Sequence, residues 1–382
     1  MPPATLAPTP DNAAFAVGLV RELACHLTSS MVNISADEPF ELGQGASVAA
    51  TSERGRTAVY LEHLDRLIRP LVAEGHHVLF WGDVLRRHPE LVARLPASGA
   101  TAVVWNYEAP STDAGLLAGL GPELLETMGL PDDAHLGFAA HVRSFAETGY
   151  PFWVAAGTSG WNSLLGRWTN ARENLLDAAL VGRAEGAGGY LVTDWGDNGH
   201  LQPLAVSLLP LVYGAGVAWC ADSNRDRDVI PEVDAITGVE GLGAILAELG
   251  DVHLLSGVTT FNGSALFAAL DPARPLPLIG KGSPTGHAAT LRVLDDALGR
   301  LATASSRFRP RNDEVLLDGL TAAVRLARQG AWRLARRASV EVPNDDELAA
   351  DLEACRDLQR AAWLASSRPG GLDDSLRHLP EP

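Results

Sequence analysis

The sequence predicts a parallel α/β fold of the (β/α)8 TIM-barrel type, followed by a helical C-terminal domain. Three observations predict it. Five short apolar runs alternate with helical patterns between about residues 30 and 220. The runs are continuously apolar rather than alternating, as strands of a sheet covered on both faces are. Their C-terminal ends gather acids and tryptophans, the place where a barrel builds its active site.

The strand candidates are "MVNISAD" (31–37), "HVLFWGD" (77–83), "TAVVWNYE" (101–108), "PFWVAAGTS" (151–159) and "GYLVTDWGD" (189–197). Between the first two, "SERGRTAVYLEHLDRLIRPLVAEG" places apolar residues at 59, 60, 64, 67, 71 and 72, the period of a helix with one buried face. "HLGFAAHVRSFAETG" and "NARENLLDAALVGRAEGAGG" repeat the pattern, and each ends in the glycine that a helix C-cap favours. A doubly wound nucleotide-binding sheet would carry G-x-G-x-x-G at its first strand–helix turn. No strand end here does, and "GKGSPTG" (280–286) has the wrong spacing. "LAVSLLPLVYGAGVAW" (204–219) is too short to span a membrane, contains Pro210 and reads as a buried core helix. Next comes a polar stretch, "CADSNRDRDVIPEVD", read as a linker. Helical patterns follow at roughly 237–249, 263–270, 285–303, 312–339 and 345–367. Two domains are expected: residues 1–220, a partial barrel that carries the chemistry, and 221–382, all helix.

Of the 382 residues, 46% are hydrophobic and 20% charged, which excludes a disordered chain. The net charge of −17 argues against nucleic acid as a partner. Only one basic residue, Lys281, is a lysine. Cys25, Cys220 and Cys355 are widely spaced and odd in number. They form neither a disulfide framework nor a metal knuckle, and read as thiols in a reducing compartment. The first fifteen residues lack a basic segment and an apolar segment, so no signal peptide is expected. A cytoplasmic location, no membrane partner and no cofactor are the expectations.

The strand ends carry Asp37-Glu38, Trp81-Gly-Asp83, Trp105-Asn-Tyr107-Glu108, Trp161-Asn162 and Trp195-Gly-Asp197. A single tryptophan at a strand end is usually core filling. The recurrence of tryptophan with a nearby carboxylate, and the placement of seven of nine tryptophans between residues 81 and 219, favours a site. Indole faces stack on the C–H face of a sugar, and carboxylates and amides take its hydroxyls. Adjacent residues at a strand terminus point in different directions. One carboxylate can therefore serve the leaving group while its neighbour serves a 2-substituent of the sugar, the requirement of substrate-assisted glycoside hydrolysis.

At this point "NISADEPFELGQG" (33–45) resembles the strand-four signature of glycoside hydrolase family 20, the β-N-acetylhexosaminidases. "FWGD" resembles the family's strand-five segment and "TDWGDNGH" its strand-eight segment. A bacterial branch of the family resembles the chain most closely, through "WNYE", "AGTSGWNS", "TDWGDNGH" and "RPGGLDDS". The resemblance covers about residues 10–220 and, weakly, the helical tail. It implies that Glu38 is the general acid and that Asp37 orients the 2-acetamido group, which attacks the anomeric carbon. It places Trp81, Asp83, Trp195 and Asp197 in the sugar pocket. Trp105, Tyr107, Glu108, Trp161, Asn162 and His200 are further pocket candidates, with Glu108 free either to hold a sugar hydroxyl or to pair with an arginine. The implied substrates are glycosides of N-acetylglucosamine or N-acetylgalactosamine. Two departures stand out: Ser35-Ala36 lies where family members mostly have glycine, and Asp197 is one methylene shorter than the family's glutamate.

On this alignment the five strands correspond to barrel strands four to eight. About thirty residues precede the first, too few for three (β/α) units of ~30 residues each. The chain thus reads as the C-terminal part of a full-length member. Its open parallel edge is expected to invite an upstream continuation or self-association. The reading from a different class is a catalytically inactive fragment or sugar-binding module that keeps the tryptophans. A third reading joins His200 with Asp194 or Asp197 at a metal, but no third ligand is evident in the sequence. Arg167 and Trp168 read as lid residues or as a loop packed on a helix.

Overall fold

A computed structural model describes residues 5–86, 88–96, 98–110, 137–270, 278–307 and 310–380. The helix anticipated at 135–149 thus begins two residues outside the described set. The chain is mixed α/β, with a five-stranded half-barrel sheet and many helices. The strands are β1 (Met31–Asn33), β2 (His77–Trp81), β3 (Ala100–Trp105), β4 (Phe152–Gly157) and β5 (Tyr190–Thr193), paired in sequential order. β1 to β4 are parallel, with Val32 beside Val78, Phe80 beside Ala102 and Val104 beside Val154. The sequential order rules out a doubly wound sheet, whose strand order reverses at a switch point. Right-handed crossovers between successive neighbours all turn the same way, which is how a sheet begins to close into a barrel.

All five strands were anticipated, and all stop short of their expected ends. β1 ends at Asn33 rather than at 37, and β5 at Thr193 rather than at 197. Single backbone bonds continue the pairing just past several ends, such as Gly82 N–H to Val103 O and Thr158 N–H to Thr193 O, before the chain turns away. The middle strands are buried nearly throughout, while β1 and β5 are only half covered.

The chain forms two compact units, one of residues 1–106, 113–156 and 177–191, the other of residues 107–112, 157–176 and 192–382. In the first unit α1 (Pro10–Ala24) is capped by Thr9, whose hydroxyl accepts from the Asn12 N–H, and it begins with proline at its first position. α2 (Val48–Arg54) leads through Gly55 into α3 (Arg56–Ala73). α3 buries Val59, Tyr60, Leu64, Leu67 and Leu71, the face read from the sequence. α4 (Pro89–Val92) is a single turn, and α5 (Phe138–Thr148) ends at left-handed Gly149, as its glycine signalled. α6 (Trp168–Ala184) leads from the second unit back into the first.

In the second unit the stretch read as a core helix becomes a 3₁₀ turn (Leu204–Ser207) followed by α7 (Leu208–Asn224). It is a core helix on one face only, for Leu204 is 61% and Trp219 90% exposed. The polar run read as a linker is instead shared between two helices. Cys220 interrupts α7 with extended backbone, and α8 (Ile230–Thr237) starts where Asp228 Oδ1 accepts from the Ile230 N–H. The single helix expected at 237–249 is therefore the end of α8 plus α9 (Leu242–Gly250), parted by left-handed Gly238 and Gly241. The long helices that follow are α10 (Pro284–Leu301), α11 (Gly319–Arg337) and α12 (Asp345–Ser366), with short helical turns at Ala265–Ala268, within the stretch expected at 263–270, and at Leu372–Arg377. A π-helical segment, Asp313–Asp318, precedes α11. α12 opens with a capping box between Asn344 and Glu347 and buries Leu348, Leu352 and Cys355 against its neighbours.

Candidate functional site

In the first unit the site is a turn. After β1 the backbone takes positive φ at Ser35 (59°), Ala36 (71°) and Glu38 (41°). An L-residue in this region costs about 1–2 kcal/mol, so other contacts must hold the turn. Asn33 Oδ1 accepts from the Ser35 N–H at 2.7 Å. The Trp81 N–H donates to the Ser35 carbonyl at 2.9 Å. The Tyr60 hydroxyl donates to the Ala36 carbonyl at 2.6 Å, and the Glu38 N–H donates to Asp83 Oδ2 at 3.2 Å. Ser35 and Ala36 thus adopt the conformation for which glycine is the usual residue. The result is a pair of adjacent, exposed carboxylates, Asp37 and Glu38, beyond the C-terminal end of an edge strand.

Asp83 lies two residues beyond β2. Burial, together with the Asp37 carboxylate, raises its pKa to about 6 against the pull of the Glu38 N–H, and its Oδ1 is buried without a hydrogen-bond partner. Burial first, then the charges of Asp83 and Asp37, holds the Tyr60 hydroxyl well above its ordinary value, so it remains a donor. Trp81 is buried at the end of β2, and Trp105, the last residue of β3, is half-buried. Two cavities flank the turn. One of about 450 Å³ is lined by both Asp37 and Glu38 with residues of α1 and α3. The other, of about 300 Å³, touches Glu38, Arg56 and His88. Neither is lined by Trp81 or Trp105.

The raised Asp83 pKa has a consequence for stability. The folded chain holds a proton on this carboxyl that the unfolded chain, near 3.8, has already lost. Its contribution is therefore full below about pH 4 and is lost as pH rises through about 6, by up to about 3 kcal/mol. His253 of the second unit acts in the opposite sense. Burial, then the Arg167 charge, lowers its pKa to about 3, so stability is lost as pH falls below about 6.5. The wild-type curve mixes the two. The difference isolates Asp83: Asp83→Asn should gain on the wild type steadily between pH 4 and 6, read from urea midpoints at each pH. A constant difference would show that Asp83 does not titrate in that window.

In the second unit the aromatic residues meet. The Tyr107 ring stands edge-on to Trp161 at 5.0 Å and to Trp195 at 6.4 Å between centroids. Gly157 makes this possible, since a Cβ there would lie 2.4 Å from the Trp161 ring. Trp161 is 1% exposed and its Nε1 donates to Asn262 Oδ1 at 3.0 Å, so its ring supports the cluster from beneath rather than offering a face. Asn162 is buried and its Oδ1 accepts from Asn198 Nδ2 at 2.9 Å. Positive φ recurs at Ser159, Asn162 and Leu164 after β4, and at Asn198 and His200 after β5. Backbone strain therefore collects where strands end, as at many functional sites. Asp197 is exposed, although partial desolvation still raises its pKa, and the His200 ring lies edge-on to Trp363 at 6.2 Å.

Glu108 takes the second of its two expected roles. It accepts from Arg167 Nη1 and Nη2 at 2.8 and 2.7 Å, and both side chains are buried. Arg167 is therefore no lid residue. Trp168 begins α6 and packs edge-on to Tyr213 at 5.9 Å.

The sequence reading missed Tyr60, which it took only as an apolar helix position, and the asparagines that hold the second cluster. Asn170 accepts from the Ala109 N–H and donates to the Tyr107 carbonyl and to Ser159 Oγ. Asn174 accepts from the Gly157 N–H and donates to the Glu108 carbonyl. Their i, i+4 spacing in "NARENLL", two polar groups on one helix face, was the available signal. Among the described residues no group of three His, Cys, Asp or Glu side chains gathers as a metal site.

Fold and site together define a class, a parallel α/β half-barrel chain with carboxylates and aromatic residues at its strand ends. No protein-family model matches the chain, and no curated protein matches its sequence.

Proposed function

We propose that the chain is a glycoside hydrolase that removes terminal β-linked N-acetylhexosamine with retention. On this reading its sheet is strands four to eight of a (β/α)8 barrel. The observation that carries the proposal is the strained turn after β1. Three positive-φ residues, fixed by Tyr60 and Asp83, keep two adjacent carboxylates exposed at a strand's C-terminal end. Such strain is retained where geometry matters more than stability.

Glu38 donates its proton to the glycosidic oxygen as the C–O bond breaks. The 2-acetamido oxygen closes on the anomeric carbon from the opposite face, and Asp37 accepts the acetamido N–H, stabilising the positive charge that builds on that group. Water then opens the ring intermediate, with Glu38 taking its proton back as general base. Within the first unit, Trp81, Asp83 and Trp105 are proposed to contribute to sugar binding; within the second, Tyr107, Trp195, Asp197 and His200 are, with Trp161 and Asn162 supporting that unit's aromatic cluster. A cytoplasmic location and self-association through the β1 edge belong to the same proposal.

A non-catalytic sugar-binding reading draws on one observation, that Glu108 and Trp161 are already committed inside the protein. Turnover of 4-nitrophenyl N-acetyl-β-glucosaminide by the full chain separates the two. Hydrolysis is expected, with a loss of about 10²–10⁴-fold in Glu38→Gln on substrates with poor leaving groups. A folded chain that binds N-acetylglucosamine without turnover would establish the binding reading.

A further inference from the structure

We propose that the cavity of about 450 Å³ beside Asp37 and Glu38 is an aglycone pocket, and that the substrates are N-acetylhexosaminides whose leaving group is an alkyl or aryl alcohol. The assignment rests on the glycosidase reading above and adds the substrate class to it.

A general acid must touch the oxygen that departs, so the leaving group lies against Glu38. The cavity reaches both acids and is formed within the first compact unit. Its walls are Leu64 and Leu67 of α3, Ala16 of α1, Leu6, Ile34 and Leu42. Its volume falls in the range that holds a small ligand. Of its four polar side chains away from the two acids, Thr5, Ser35, Tyr60 and His63, two are already engaged. The Tyr60 hydroxyl is donated to Ala36, and the Thr5 hydroxyl to Glu41, a bond that also ties the N-terminal segment to the turn. A second pyranose would bury several hydroxyls here against aliphatic walls, and unmatched polar groups are costly to bury. An alkyl chain or aromatic ring loses nothing in the same place and gains from leaving water.

One buried polar atom in the wall stays uncommitted. His63 Nδ1 is buried without a hydrogen-bond partner. Burial, then the Arg66 charge, lowers the His63 pKa, which favours the neutral ring, and Nδ1 is one nitrogen of that ring able to take part in a hydrogen bond. The leaving group that fits best is therefore an apolar body with one hydroxyl or carbonyl. The smaller cavity that also touches Glu38 is lined by Arg56, Thr57 and His88 together with Pro39, Phe40, Leu42 and Val84.

The test uses sulfur-linked N-acetyl-β-glucosaminides, which bind without being cleaved. Methyl, hexyl and N-acetylglucosaminyl thioglycosides are titrated calorimetrically into the full chain. The hexyl compound should bind at least about tenfold more tightly than the methyl compound, a fraction of what five fully buried methylenes would give. Ala16→Phe, which fills the cavity from α1, should erase that advantage, with the helical circular dichroism preserved. Leu67→Ala, which loosens the wall, should reduce it. Equal affinity for methyl and hexyl, a hexyl advantage that survives Ala16→Phe, or a preference for the N-acetylglucosaminyl compound overturns the pocket while leaving the glycosidase reading standing. Failure of all three to bind overturns both.

Discussion

Asp37→Asn should lower kcat/KM on 4-nitrophenyl N-acetyl-β-glucosaminide by about 10²–10³-fold, the scale of losing one group that stabilises charge in a transition state. It should barely change any residual rate on the plain glucoside. The asymmetry follows from what Asp37 does in the proposed mechanism. An acetamido nitrogen becomes acidic and partly positive only as its oxygen attacks, so the carboxylate is needed most at that moment. A glucoside has no acetamido group and gives Asp37 nothing to hold. Glu38→Gln should show a different asymmetry. Its loss should grow as the leaving group becomes harder to expel, because proton donation matters least for nitrophenolate. A third readout belongs to the variant's neighbour. The Asp37 carboxylate helps raise the Asp83 pKa, so Asp37→Asn should lower it, visible by NMR titration of the Asp83 side chain. Equal losses on both sugars in Asp37→Asn would remove the substrate-assisted account. An unchanged Asp83 would show that the two carboxylates are not coupled.

These expectations began from residues that were legible in the sequence, and their limits have a physical origin. Val78 to Phe80 and Ala102 to Val104 announce themselves as strands because every side chain is buried, and a continuous apolar run encodes that locally. The helical faces of α3 and α5 are legible for the same reason. The strand ends were misjudged because distant residues help to set them. The local Asn33 side chain holds only the Ser35 N–H; the rest of the turn is held by Tyr60, twenty-four residues on from Ala36, which donates to its carbonyl, and by Asp83, forty-five residues beyond Glu38, which accepts its N–H. Trp161 looked like the other strand-end tryptophans, yet its burial is decided by Asn262 and Gly157. For the 3₁₀ turn and α7 together the apolar composition concealed that Leu204, in the turn, and Trp219, in the helix, face outward. Composition reports how much apolar surface an element has, not how much of it the fold covers.

Glu108→Ala should lower stability by about 3–5 kcal/mol, the cost of leaving a buried charge without its partner. The Arg167 guanidinium meets Glu108 through both terminal nitrogens, and both side chains are at most 5% exposed. Its Nε is buried without a partner, so the arginine depends on this one carboxylate more than a surface arginine would. The pair also anchors a wider set of bonds. The Glu108 carbonyl accepts from Asn174, the next residue's N–H is held by Asn170, and Asn170 holds the Tyr107 carbonyl. Loss of the pair should therefore loosen Tyr107 and, through it, the Trp161 and Trp195 rings, so tryptophan fluorescence should change before the helical signal is lost. Replacing both partners by apolar residues, Glu108→Leu with Arg167→Met, should recover most of the stability, since no charge is then left in the interior. Urea unfolding followed by both signals measures each step. A loss below about 1 kcal/mol in Glu108→Ala would show that water reaches Arg167. It would also return Glu108 to the residues free to contact a ligand.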